Sequence, residues 1–123
     1  MKFLDANIIA YAFYDNEYST SCQKAVWDGG MTNTFALAEA FNIIEHETNR
    51  DRAEKAIIGI FKSDIHIIDL DQNILFETLK NIKKLKLNIF DAIHYTSAMW
   101  NECEAIVSYD DDFDGLNIPR EEP

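Results

Sequence analysis

Four short apolar runs, separated by longer segments with helical periodicity, constrain the fold more than any other feature of this sequence. The runs have the length and composition of buried strands, and they are "MKFLD", "MTNT", "IHIIDL" and "AIVSYD". A parallel pair of strands needs a long crossover between them, and here that crossover is helical. We therefore predict an α/β fold, a three-layer α/β/α sandwich around a mostly parallel sheet of four or five strands.

Helical periodicity and helix-capping residues mark the segments between the strands. These segments are "ANIIAYAFY", "STSCQKAVWDG", "FALAEAFNIIEHETN", "RDRAEKAIIGIFKS", "QNILFETLKNIKKLKL" and "IFDAIHYTSAMWNE". A fifth strand is expected at the sheet edge in "LNIP", which ends at Pro119. Since 123 residues suit one core and no linker or repeat interrupts them, we predict a single domain over residues 1–123.

Composition excludes several classes of protein. No apolar run approaches the ~18 residues of a membrane span, and the acidic residue at position 5 argues against a signal peptide. Cys22 and Cys103 lie outside any metal-binding cysteine motif, which favours reduced thiols in a cytoplasmic protein. We expect a cytoplasmic location and no membrane partner.

The net charge of −11 argues at first against a nucleic-acid ligand, which normally binds a basic surface. The basic residues are nevertheless concentrated: the segment "LKNIKKLKLN" contains Lys80, Lys83, Lys84 and Lys86. This lysine cluster is either a contact for an RNA backbone or an ordinary solvated helix face. Global charge alone therefore does not decide the function.

The acidic segment near the end of the chain has the spacing of an EF-hand calcium loop. Its matching positions are Asp110, Asp112, Asp114, Gly115 and Glu121. An EF-hand loop lies between two helices, whereas here a strand-like run precedes the segment and only two residues follow Glu121. We therefore reject calcium signalling and interpret the segment as one corner of a larger acidic site.

Four acids fall where the predicted fold would bring them together. Asp5 and Asp110 end strands, and Glu39 and Asp91 lie near the starts of helices. The carboxyl ends of parallel strands form a common edge, where sites in such sheets are found. Clustered carboxylates repel one another unless a cation binds them, and an all-oxygen ligand set favours Mg²⁺ or Mn²⁺. Taken singly, Asp91 is also explained as a first-turn helix acid and Asp110 as part of a solvated turn.

The motifs that carry these acids resemble, in order and spacing, the four motifs of PIN-domain ribonucleases, especially the VapC-type toxins. They are "FLDANIIAY", "ALAEAFNII", "FDAIHYTSA" and "VSYDDDF". The resemblance implies a PIN-like fold and a Mg²⁺- or Mn²⁺-dependent endoribonuclease that leaves 5′-phosphate and 3′-hydroxyl ends. It assigns catalysis and metal binding to Asp5, Glu39, Asp91 and Asp110.

Three further residues match the family pattern. Asp112 corresponds to a second, less constant metal-binding acid, Asn7 to a small polar residue that orients Asp5, and Ser108 to a position where threonine is commoner. His94 follows Asp91 by three residues, and we expect it to be structural rather than to touch substrate. The expected partners are an RNA substrate and a small basic antitoxin.

Alternatives remain open at this level. The chain could be a catalytically silent PIN-fold module that binds RNA or protein, or an RNA-processing nuclease outside any toxin–antitoxin pair. A phosphatase of the haloacid dehalogenase type is disfavoured, because that family needs a second aspartate where Asn7 stands. We also expect a homodimer, because "IIAYAFY" and "AVW" carry more apolar surface than a small domain needs to bury.

Overall fold

The computed structural model describes all residues 1–123 and contains one five-stranded sheet. Its strands are β1 (Lys2–Leu4), β2 (Met31–Asn33), β3 (His66–Ile68), β4 (Ala105–Val107) and β5 (Arg120–Glu121). The spatial order is β3-β2-β1-β4-β5, and every neighbouring pair is parallel. The predicted α/β fold is confirmed, and "MKFLD" supplies the central strand.

Six helices connect the strands and cover both faces of the sheet. They are α1 (Ala6–Tyr11), α2 (Ser19–Trp27), α3 (Thr34–Glu47), α4 (Arg50–Phe61), α5 (Gln72–Leu85) and α6 (Ile89–Trp100). Helices α1 to α4 bury one face of the sheet, and α6, with α5 packed against it, covers the other. None of them is long and apolar enough to cross a membrane.

The alternation of side chains along the central strands creates the two cores. Leu4 and Val107 point into the core under α1 to α4, and Phe3 and Ile106 point into the core under α6. Successive residues of a strand face opposite sides of the sheet, so three-residue strands suffice to contribute to both cores. All four of these side chains are buried.

Three helices begin where a polar side chain caps them at the carboxyl edge of the sheet or beside it. Asp5 follows β1 and accepts a hydrogen bond from the amide of Ala6, while Asn33 ends β2 and accepts one from Ala36. Asn88 caps α6 in the same way, by accepting a hydrogen bond from Asp91. Such caps satisfy backbone amides that lack partners within the helix. They also fix the residue at which each helix begins, and therefore the positions of the side chains in its first turn.

Of two predictions about the end of the chain, one is wrong and the other agrees with the structure. The edge strand is not "LNIP": it follows Pro119, at Arg120–Glu121, while Ile118 is buried in the second core. Pro119 accepts a hydrogen bond from the Ile106 amide at 2.9 Å through its carbonyl, but it has no amide hydrogen to donate to a ladder, so the paired residues begin at Arg120. The rejection of an EF-hand agrees with the structure, where Glu121 lies in β5 and pairs with Lys2 at 2.7 Å.

The prediction that the first two helices carry a surplus apolar surface is wrong. Ile8 and Ile9 of α1 are completely buried, and among the apolar residues of "IIAYAFY" and "AVW" only Trp27, at 90%, is highly exposed. Further exposed apolar side chains lie on α4, α5 and α6, and the three on α5, Leu75, Phe76 and Leu79, expose 40%, 65% and 53% of their surface.

Candidate active site

Three carboxylates converge at the carboxyl edge of the sheet. Asp91, Asp110 and Asp112 each offer one oxygen, and these oxygens lie within 4.8 Å of one another. Oxygens at this spacing can share one divalent cation. We call these three residues the carboxylate cluster.

Asp91 reaches the cluster from the first turn of α6. Its amide donates to the Asn88 side-chain oxygen at 2.9 Å, and its Oδ2 accepts from the Asn88 side-chain amide, also at 2.9 Å. This reciprocal pair is a variant of the capping box, in which the cap and the acid three residues later bind each other. Asn88 is therefore the cap of α6, Asp91 is an acid of its first turn, and Asp91 keeps one carboxylate oxygen available to the cluster.

Asp110 and Asp112 are brought together by a tight turn after β4. Residues Asp111–Phe113 form one turn of 3-10 helix, and the amide of Asp112 donates to Oδ1 of Asp110 at 2.9 Å. The amide of Asp110 in turn donates to Oγ of Ser108 at 3.0 Å. Phe113 is completely buried and anchors the turn in the second core. The acidic segment is thus an ordered turn with two of its carboxylates aimed inward.

Asp5 lies beside the cluster and is 6% exposed. Its Oδ2 accepts a hydrogen bond from Ser108 Oγ at 2.7 Å, and its Oδ1 accepts one from the Ala6 amide at 2.8 Å. Asn7 makes no hydrogen bond to Asp5, so the role expected of Asn7 is performed by Ser108. Burial raises the pKa of Asp5 above its ordinary value, and the nearby charge of Glu39 raises it further.

Glu39 approaches the site from α3 but is not a member of the cluster. Its Oε1 lies 2.6 Å from Nε2 of His94, and its side chain is 35% exposed. His94 is 1% exposed, and its Nδ1 lies 3.0 Å from the side-chain nitrogen of Asn33. The predicted four-acid set is therefore divided in the structure: Asp91 and Asp110 cluster with Asp112, whereas Asp5 and Glu39 lie at its margin.

Repulsion among the acids is visible in the pKa of Asp91, which rises to about 6. The largest cause is burial, followed by the negative charges of Asp110 and Asp5. A group in this position is stabilised by a cation, which removes both the repulsion and part of the cost of burying charge. The donor chemistry of the cluster thus fits a hard divalent ion with oxygen ligands.

Comparison with known proteins identifies the family and the fold. Residues 2–118 match the model of the PIN domain. The chain belongs to the PIN domain family. No curated protein matches the sequence at a significant level.

Two solved structures have the same fold as this PIN domain. One is the VapC20 toxin of Mycobacterium tuberculosis, described as cleaving the sarcin-ricin loop, which is 11% identical, with 100% of each chain covered and a TM-score of 0.85. The other belongs to a toxin–antitoxin complex from Klebsiella pneumoniae, which is 17% identical, covers 95% of this chain and 93% of that one, and has a TM-score of 0.74.

Most of the lysine cluster lies at the carboxyl end of α5, shortly before α6 in the chain. Lys83 and Lys84 occupy the last turn of α5, and Lys86 caps it two residues before Asn88. All are exposed. Lys80 differs from them, because it pairs with Glu77 at 3.2 Å and lies over the ring of Phe76. The free cationic charge is therefore concentrated at the carboxyl end of α5, a short distance along the chain from Asp91.

Sequence reasoning missed Asn33 and Asn88, and it underestimated His94. An asparagine that directly precedes a helical segment is a capping signal, and both asparagines have that context. Their second contacts, to His94 and to the Asp91 carboxylate, join residues on different elements or need the folded turn. Sequence spacing alone does not reveal such contacts.

The raised pKa of Asp91 predicts how the metal-free protein responds to pH. A carboxyl whose folded pKa, about 6, exceeds its unfolded value favours folding while protonated. Its contribution is present below about pH 4 and is lost as pH rises through about 6. Denaturant unfolding in EDTA should therefore show Asp91→Asn gaining stability relative to wild type across this window.

The control is Asp64→Asn, which removes an exposed acid outside the cluster. Its stability difference from wild type should not change over the same pH range. If Asp91→Asn and Asp64→Asn follow parallel pH profiles, the repulsion assigned to Asp91 is absent.

Proposed function

We propose that this PIN domain is a Mg²⁺- or Mn²⁺-dependent endoribonuclease and the toxin of a toxin–antitoxin pair. The observation that carries the proposal is the carboxylate cluster, with Asp5 and Glu39 at its margin. The fold likeness to a toxin described as cleaving the sarcin-ricin loop and to a chain of a toxin–antitoxin complex supports the same conclusion. A set of acids with no cation would repel RNA, so the proposed activity depends on a bound metal.

Asp91, Asp110 and Asp112 would hold the cation. When bound, such an ion lowers the pKa of a water, orients it in line with a phosphodiester and neutralises charge on the phosphate oxygens. Asn88, together with the amide of Asp112, leaves one oxygen of Asp91 and one of Asp110 directed toward the ion.

Asp5 and Glu39 would act from the margin of the cluster. Asp5 is held on both carboxylate oxygens by Ser108 and Ala6, so its position is set before substrate arrives. Both acids add negative charge beside the cluster, and this charge favours cation binding. Oriented acceptors of this kind also suit the positioning of an attacking water.

The proposed partners are inferred from how charge is distributed on the protein. RNA would approach along Lys83, Lys84 and Lys86, which lie near the acidic edge. The net charge of −11 suits a small basic antitoxin. Both cysteines are buried and unpaired, as expected for a protein that works in the reducing cytoplasm.

The substitution Asp5→Asn tests the nuclease proposal. The amide keeps the size of the side chain and an acceptor for Ala6, and the Ser108 hydroxyl can rotate to accept from it, so the fold should be retained. The lost charge should reduce cleavage by about two orders of magnitude or more, as expected when a group aimed at the reacting atoms is removed. The measurement is gel-resolved cleavage of structured and single-stranded RNAs with Mg²⁺, Mn²⁺ or EDTA.

Asp64→Asn, purified in parallel, controls for contaminating nuclease and should cleave at the wild-type rate. Wild-type cleavage by Asp5→Asn would place the activity elsewhere or in a contaminant. An absence of cleavage by the wild type with either metal would favour a silent RNA- or protein-binding module.

The charge of the lysine cluster predicts a separate effect on RNA affinity. Lys83→Glu combined with Lys84→Glu should weaken RNA binding and reduce its dependence on salt, because fewer counterions are released. Fluorescence anisotropy of labelled RNA with Asp5→Asn as background measures this without cleavage. Lys55→Glu is the control, because Lys55 is exposed on α4 and paired with Asp51 at 3.1 Å. Equal losses in the two variants would refute a specific role for the end of α5.

We also propose a homodimer that uses the exposed apolar side chains of α5, Leu75, Phe76 and Leu79. Such a contiguous apolar group on one helix is typical of an interface. Leu79→Glu should convert the dimer to monomer in light scattering, because a charge at an apolar contact is left unpaired. Trp27→Glu, on α2, should leave the dimer intact. A monomeric wild type at high concentration would contradict the proposal.

A further inference from the structure

The orientation of the Asn33 side chain is determined by the backbone. Its Oδ1 accepts from the amide of Ala36 at 2.7 Å, as the cap of α3. An amide oxygen cannot donate, so the other end of the group, Nδ2, must face the remaining neighbours. Those neighbours are His94 Nδ1 at 3.0 Å and Ser97 Oγ at 3.1 Å.

The orientation of Asn33 in turn decides where the proton of His94 lies. Because Asn33 Nδ2 is a donor, His94 Nδ1 must accept and therefore carries no hydrogen. The single ring proton is on Nε2, which faces Oε1 of Glu39 at 2.6 Å.

The surroundings of His94 contain no alternative acceptor for Nδ1. The ring is packed between Phe3 and Phe35, with ring centroids 5.8 and 6.0 Å away, and is 1% exposed. Asn33 and Ser97 are completely buried. Ser97 donates its own hydroxyl proton to the carbonyl of Ile93 at 2.9 Å, so it can accept from Asn33 at the same time. Each hydrogen donated in this series of hydrogen bonds thus has one acceptor.

We propose that His94 is a positioning residue, which the cap of α3 orients so that its Nε2 donates a hydrogen bond to Oε1 of Glu39. The path runs from the Ala36 amide through Asn33 and His94 to Glu39. Oε2 of Glu39 makes no hydrogen bond to the protein and remains available to the cation or its water.

This inference rests on the proposed function only for its catalytic consequence. The hydrogen-bond chain and its effect on cation binding can both be measured without RNA cleavage. A failed cleavage assay would therefore leave the assignment of His94 open to its own test, and a failed test of His94 would leave the nuclease proposal standing.

The direct test is nitrogen-15 NMR of the metal-free, full-length protein at neutral pH. Two-bond correlations distinguish a protonated Nε2 from a protonated Nδ1 and from an imidazolium. The only other histidines, His46 and His66, are exposed and serve as internal references, and His94→Gln assigns the remaining signal. We expect His94 to carry a hydrogen on Nε2 and none on Nδ1. A hydrogen on Nδ1 would overturn the proposal.

Two matched substitutions separate positioning from packing. Glutamine at position 94 places an amide donor near the position of Nε2, whereas asparagine keeps a partner for Asn33 but ends short of Glu39. Both leave a cavity and a buried polar group, so their thermal stabilities should fall together. Their affinities for Mn²⁺, measured by calorimetry, should differ from each other. His94→Gln should bind Mn²⁺ with an affinity close to that of wild type. His94→Asn should bind it about 10- to 100-fold more weakly, which is the usual effect of losing such a partner.

Equal Mn²⁺ affinities for the two variants would overturn the proposal, whether both match wild type or both are weakened. Glu39→Gln provides a further check, because it removes the charge that His94 positions. With Glu39→Gln as background, exchanging glutamine for asparagine at position 94 should no longer change Mn²⁺ affinity. A difference that persists in that background would show that His94 acts by another route.

Discussion

Repulsion between carboxylates at one edge of a parallel sheet is the constraint on which the rest of this structure depends. Like charges so close together in a partly buried place raise one another's pKa and oppose folding. Each acid is therefore held by a specific donor. Asn88 binds Asp91, the Asp112 amide binds Asp110, Ser108 and the Ala6 amide bind Asp5, and His94 binds Glu39. These donors hold the carboxylates in place at the edge of the sheet.

The fold needs few additional groups to position these side chains, because several of the groups involved also begin the helices. Asn33 and Asn88 cap α3 and α6, whose first turns carry partial positive charge. Ser108 directly follows β4, the neighbour of β1, and the pairing of Leu4 with Val107 places it beside Asp5. Helix capping, strand pairing and site geometry are thus consequences of the same contacts. A substitution that disturbs one of them would disturb the others as well.

Charge is distributed unevenly on this small domain, which has an acidic surface and a basic surface. The acidic edge attracts cations, and the nearby end of α5 carries Lys83, Lys84 and Lys86, which can meet a phosphate backbone. The apolar side chains of α5 lie earlier on the same helix. Helix α5 thus carries its exposed apolar side chains on its earlier turns and its free lysines on its last turn.

The sequence by itself determined the α/β class and the family, because these depend on local periodicity and on motifs that are short and ordered along the chain. It also placed Asp5, Glu39, Asp91 and Asp110 at one edge of the sheet, since strand ends and helix starts share one edge in any parallel sheet, and the family resemblance added Asp112. Only the tertiary structure decided that Asp91, Asp110 and Asp112 form the cluster with Asp5 and Glu39 at its margin, that Ser108 rather than Asn7 holds Asp5, and that three exposed apolar residues lie together on α5. The physical reason is that hydrogen bonds between distant elements, such as Asn33 to His94 and His94 to Glu39, depend on side-chain direction and packing, which no local pattern encodes.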